Sequence, residues 1–152
     1  MKRLSQFTIA FVLLVMSSAG LSAQASHTTF TGGIFFQSPC NGEIVVGPGP
    51  VKIVYARDES GRATIHSTLR VQTYGDLGNP YVISFVTNAT FDAPSGGGEG
   101  YVYYDAPVSG EVVATGSAAD FSWSLYNRLY VVNDVVVGSV FIGPSTTACR
   151  GV

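Results

Sequence analysis

Polar and apolar residues alternate along two long stretches of the chain. In RATIHSTLRVQTY, residues 62–74, Ile65, Ser67, Leu69 and Val71 fall on one side, and His66, Thr68, Arg70, Gln72 and Tyr74 on the other. Across 120–132, Phe121, Trp123, Leu125, Leu129 and Val131 share a side opposite Ser122, Ser124, Tyr126 and Arg128. A period of two marks a strand with one buried face. Turn signals punctuate the chain: NG at 41–42, GPGP at 47–50, DESGR at 58–62, GDLGNP at 75–80, APSGGGEG at 93–100, APVSG at 106–110, VND at 132–134 and GP at 143–144. They predict strands at 28–37, 43–46, 51–57, 62–74, 80–90, 100–105, 111–117, 120–132 and 135–143. No stretch after residue 25 has helical periodicity. The expected fold is all-β: an antiparallel up-and-down meander of eight or nine strands, rolled into a closed or nearly closed barrel. A two-sheet β-sandwich is the alternative. Closure would remove the exposed strand edges that make β-rich chains aggregate.

The first 25 residues follow a different pattern. Lys2 and Arg3 precede an apolar run from Phe7 to Met16, and small residues lead to Ala23-Gln24-Ala25. This is the layout of a secretory signal peptide cleaved after Ala25. The run is well short of the roughly 20 apolar residues that a membrane-spanning helix needs. The expected product is therefore one domain, 26–152, secreted to the periplasm or beyond. Two of the eight basic residues leave with the signal, so six Lys/Arg face ten Asp/Glu. Without a basic tract, neither nucleic acid nor anionic lipid is an expected partner.

Cys40 and Cys149 lie near the two ends of the expected domain. An even cysteine count in an exported chain predicts a disulfide. Pairing them would close a loop of about 110 residues, worth on the order of 4–5 kcal/mol in the chain-entropy account. It would also set the end of the first strand beside the end of the last. A structural zinc site would need four ligands at close spacing, and His27 and His66, the histidines of the domain, are isolated. A nucleophilic thiol would need a neighbouring cation or histidine, which SPCNGE does not supply. No metal or cofactor is expected.

The segment PCNGE at 39–43, the His-bearing stretch from His66 to Gly78 and a late hairpin ending in Cys149 occur in an order resembling a group of uncharacterised, secreted bacterial β-barrel-like proteins. That group carries an export signal, an early PCxGE motif and a C-terminal cysteine. The resemblance runs along nearly the whole mature length and implies topology and compartment, with no activity attached. The chain departs from the group at Arg70, where members carry a second histidine, and at Tyr74, where they carry glutamine.

The polar side of 62–74 is the main candidate for chemistry. His66 and Arg70 would stand about 13 Å apart along one strand face. If that face lined a barrel, they would fix the polar end of a ligand, with Glu43, Tyr55 and Tyr74 as further candidate contacts. If it faced solvent, they would be surface residues. Asp92, Glu99 and Asp105 are oxygen donors around SGGGEG but lack calcium-loop spacing. SGGGEG itself precedes a strand-like segment, so it reads as a hairpin and not as a phosphate loop. Tyr101, Tyr103 and Tyr104 offer either a platform for sugar rings or ordinary packing. The expected function is a non-enzymatic binding module that takes a small, largely apolar ligand. Alternatives are a structural or interaction protein of the envelope or extracellular matrix and, ranked last, an isomerase- or cyclase-like enzyme.

Overall fold

The computed structural model describes residues 25–150, apart from the side chains of 143–145; the segment expected to be a signal peptide lies outside the described residues except for Ala25. Eight strands follow one another: β1 (Ser26–Gln37), β2 (Ile44–Arg57), β3 (Ala63–Tyr74), β4 (Pro80–Phe91), β5 (Gly96–Gly98), β6 (Tyr101–Ala114), β7 (Phe121–Val132) and β8 (Val135–Cys149). All pairings are antiparallel, in the order β1-β2-β3-β4-β6-β7-β8, and the short β5 pairs with the start of β6.

Two segments expected to be turns run through strands. GPGP lies inside β2 and APVSG inside β6, so two strands stand where four were expected. The reason is that proline is tolerated in a strand wherever the ladder on one side is missing. The β2–β3 ladder ends at Lys52 and Thr68, and two positions further in the same register Pro50, which has no N–H, would stand against Arg70. The same register resumes at the Val45–Gly75 bridge, so the strands stay abreast across the gap. Pro107 sits likewise between the β5 pairing at 101–103 and the β4 pairing at 110–114. There the Thr87 hydroxyl donates to the Pro107 carbonyl at 3.4 Å.

Alternation puts the apolar residues on one side of this sheet, and the sheet curls around them. Phe36, Tyr55, Tyr81, Tyr104, Phe121, Trp123 and Leu129 are buried there with Ile53, Ile65 and Ile83. Their rings interlock: Phe36 lies 4.9 Å from Trp123 centroid to centroid, and Phe85 meets Trp123 edge-on at 5.7 Å. Edge-to-face and tilted contacts of this kind are favourable geometries for aromatic pairs.

The curl does not close with a ladder. The path through the sheet has seven members, an odd number, so antiparallel alternation leaves β1 and β8 running in the same direction. The meander cannot continue across that seam. Instead, the Cys40–Cys149 disulfide, with its Cα atoms 5.4 Å apart, staples one end. At the other end the Thr28 hydroxyl reaches the Val136 carbonyl at 3.4 Å. The result is an open, strongly curled antiparallel sheet. No helix among the described residues is long and apolar enough to cross a membrane.

Candidate functional site

The sheet has two poles, each built from hairpin turns, and the residues singled out in the sequence divide between them and the outer face. Cys40 and Glu43 lie at one pole, formed by the turns 38–43 and 75–79 and the segment 115–120. Asn41-Gly42 turns the chain back, with Gly42 at φ 77°, and delivers Glu43 into the interior at 1% exposure. The carboxylate then accepts hydrogen bonds from Tyr81 Oη at 2.7 Å, Asn79 Nδ2 at 2.8 Å and Asn41 Nδ2 at 3.1 Å. The backbone N–H groups of Leu77 and Asn79 complete the set at 3.2 and 3.3 Å. Burial alone would raise the pKa of this carboxyl, but those bonds together outweigh it and hold the pKa below the ordinary value. Burial, and then the bond to Glu43, push the Tyr81 phenol up to about 12. Gly75 leaves the space that the carboxylate fills, since a Cβ there would collide with it. Every acceptor site faces a donor from its own chain, so this pole is a latch.

His66 and Arg70 do not join Glu43 and Tyr55. Ile65, Ser67 and Leu69 take the inner side of β3, which turns His66 and Arg70 outward by alternation. His66 is half-buried with Nδ1 2.7 Å from Asn88 Oδ1, and Arg70 is exposed along a shallow groove of about 540 Å³ shared with Lys52, Ser84 and Glu111. Tyr74, 71% exposed, ends the same outer row. Of the two readings of this strand face, the outer one holds: Ile65, Ser67 and Leu69 fill the inner side, and His66 and Arg70 do not line an internal cavity.

Tyr55 lies under the opposite pole. Its ring is buried beside Tyr104, with centroids 5.8 Å apart and hydroxyls 3.5 Å apart. Burial first, and Tyr104 second, raise its pKa. Above it, the β5–β6 turn at Glu99-Gly100 and the β7–β8 turn at Asn133-Asp134 stand on either side of a cleft of about 430 Å³. Arg57, Gly98, Gly100, Tyr101, Asn133 and Asp134 contribute to its lining. Contacts are loose here: Tyr55 Oη to Asp134 Oδ1 is 3.5 Å, and Arg57 to the same oxygen is 3.8 Å. The lining is polar and solvent-facing, unlike the apolar chamber expected.

The remaining candidates resolve by packing. Tyr104 is core, while Tyr101 and Tyr103 lie on the outer side, each about 6 Å from Tyr130. Asp105 is held by Arg128 Nε and Nη2 at 2.7 and 2.8 Å, and Asp92 by Arg62 at 2.8 Å, so neither is an idle oxygen donor. Sequence reasoning missed Arg57, Asn133 and Asp134 as neighbours. The available signal was the VNDV turn, where Asp occupies a position that a two-residue hairpin commonly gives to glycine. Compared with family models, curated proteins and solved structures, the chain matches none.

Proposed function

We propose that the chain is an exported, non-enzymatic binding and interaction module whose interior is its own core and whose contacts are made at the open pole and on the outer face. The filled interior carries this reading. Tyr55, Tyr81, Tyr104, Phe36, Phe85 and Trp123 occupy the space that an apolar guest would need. The clefts large enough for a ligand, about 330 to 540 Å³, lie on the outer face and at the poles. Glu43, the buried carboxylate, is already committed to five donors, which suits a scaffold better than a site awaiting substrate. A disulfide spanning the domain is compatible with export to an oxidising compartment.

Native mass spectrometry of protein purified from its own host tests the proposal. The expected species begins at Ser26, carries one disulfide and holds no apolar guest. A lipid-like molecule that stays bound to the native chain and leaves only on unfolding would overturn it in favour of a carrier.

A further inference from the structure

We infer that the cleft at the open pole is a binding site for a neutral sugar ring, entered between the β5–β6 and β7–β8 turns. The inference rests on the binding-module reading and gives it a ligand class.

Two hairpin turns approach each other and bring unlike groups to one cleft of about 430 Å³, within the range of small-molecule sites. Asp134 offers a carboxylate whose Oδ1 has only the long contacts to Tyr55 and Arg57. Its Oδ2 has no partner among the described residues. The Asn133 side chain is exposed and likewise makes no hydrogen bond among them. Arg57, which also lines the cleft, keeps its Nε on the Gly61 carbonyl at 3.2 Å and sets its Nη1 3.8 Å from Asp134 Oδ1. A carboxylate, an amide and a guanidinium side by side provide fixed acceptors and donors in planar forks. Adjacent sugar hydroxyls, each able to donate and accept, complement that set.

The charges choose among polar ligands. An anion entering the cleft meets Asp134 and, on the rim, Glu99; a cation meets Arg57; and the two charged residues of the lining, Arg57 and Asp134, offset each other. An uncharged polyol meets neither penalty. Tyr101 supplies the apolar element. The residue is 39% exposed, and its ring leans on Tyr130 with centroids 5.9 Å apart. Gly98 makes this placement available, because a Cβ there would stand 2.6 Å from the Tyr101 ring. An aromatic face beside planar polar groups matches a pyranose, which has one apolar C–H face and a rim of hydroxyls.

The backbone adds an independent sign. Asn133 and Asp134 both have left-handed φ, 49° and 59°. Glycine would hold the second position at lower cost, so the carboxylate stands there against local preference.

Substituting that residue separates binding from folding. The Asp134→Gly protein should keep or gain thermal stability, while Tyr101→Ala opens the other wall. The probe is a panel of methyl α- and β-glycosides of glucose, galactose and mannose with their β-linked disaccharides, followed by amide shifts of the 15N-labelled domain. At least one neutral glycoside should shift Gly98, Gly100, Tyr101, Asn133 and Asp134 together. Loss of a charge-assisted hydrogen bond should weaken that binding about tenfold or more in Asp134→Gly. The inference fails if no neutral glycoside shifts these amides, if binding survives both substitutions unchanged, or if the corresponding uronic acids bind more tightly than the neutral sugars. None of these failures would place a guest in the interior, so the scaffold reading is judged separately by mass spectrometry.

Discussion

Each pole contains a tyrosine hydroxyl facing a carboxylate, and the two pairs behave differently. At the latched pole, Tyr81 Oη lies 2.7 Å from Glu43, which is buried and surrounded by donors. At the open pole, Tyr55 Oη lies 3.5 Å from Asp134, whose side chain is 57% exposed. The same two functional groups make a strong bond in one place and a marginal contact in the other. What differs is water. Glu43 has exchanged solvent for a complete set of protein donors, so removing one leaves an unmet charge. Asp134 retains solvent, and its contacts can be traded for a ligand at little cost. One end fixes the fold; the other is available.

The largest test of this contrast is covalent. Replacing Cys40 and Cys149 together with serine should lower stability by about 4–5 kcal/mol on the chain-entropy account. The loss should be read from urea unfolding of the oxidised and double-mutant proteins. The expected structural consequence is local: hydrogen exchange should quicken first around 38–43 and 115–120, while the Asn133-Asp134 turn changes little. Equal quickening at both poles would erase the distinction.

Glu43 comes next. Glu43→Gln keeps the shape but turns an NH2 group toward Asn79 and Tyr81, and should cost about 2–4 kcal/mol at neutral pH. Because the folded pKa lies below the ordinary 4.5, the contribution of Glu43 is complete above that value and drains away as pH falls through the folded value. Acid unfolding curves should therefore be steeper below about pH 4.5 for the native sequence than for Glu43→Gln. Tyr81 has the opposite sign. Its pKa rises from 10.0 to about 12, so its contribution holds below 10 and is lost as pH climbs through about 12. Tyr81→Phe should remove that alkaline limb.

The paired hydroxyl deletions compare the poles directly. Tyr81→Phe, which strips a charge-assisted bond, should cost about 2 kcal/mol. Tyr55→Phe, which gives up contacts at 3.5 Å, should cost at most about 0.5–1 kcal/mol. Comparable losses in chemical denaturation would mean that the open pole is held as firmly as the latched one.

How far these poles are legible in the sequence depends on the range of the interaction. Period-two alternation in 62–74 and 120–132 gave β3 and β7 with their faces in the correct sense, because alternation is a local property of an extended chain. The cysteine pairing is legible from the even count and the expectation of an exported chain. GPGP and APVSG misled because proline reads as a turn in isolation. Here it marks a strand whose ladder is locally interrupted, and only the neighbouring strand reveals that. Glu43 was noticed as part of PCNGE, yet its partners Leu77, Asn79 and Tyr81 lie more than thirty positions away. No spacing rule connects them. The open cleft was least legible, since it joins Arg57, Tyr101 and Asp134 from three different hairpins.

Between the poles, polar side chains interrupt the apolar interior, and they yield the smallest effect. Ser67 is fully buried on β3, and its hydroxyl has no hydrogen-bond partner among the described residues. It sits opposite Thr87 in the β3–β4 ladder, and Thr87 directs its own hydroxyl to Pro107. The cross-strand neighbour is thus already engaged. A buried hydroxyl without a partner costs more than the methyl group that could replace it. Ser67→Ala should therefore raise stability by about 0.5 kcal/mol, seen as a higher denaturation midpoint with an unchanged slope. The same exchange at Thr87 removes a made bond and should lower the midpoint. If Ser67→Ala is destabilising instead, the hydroxyl is satisfied in solution, and the middle layer belongs with the latched pole in being tied by polar contacts.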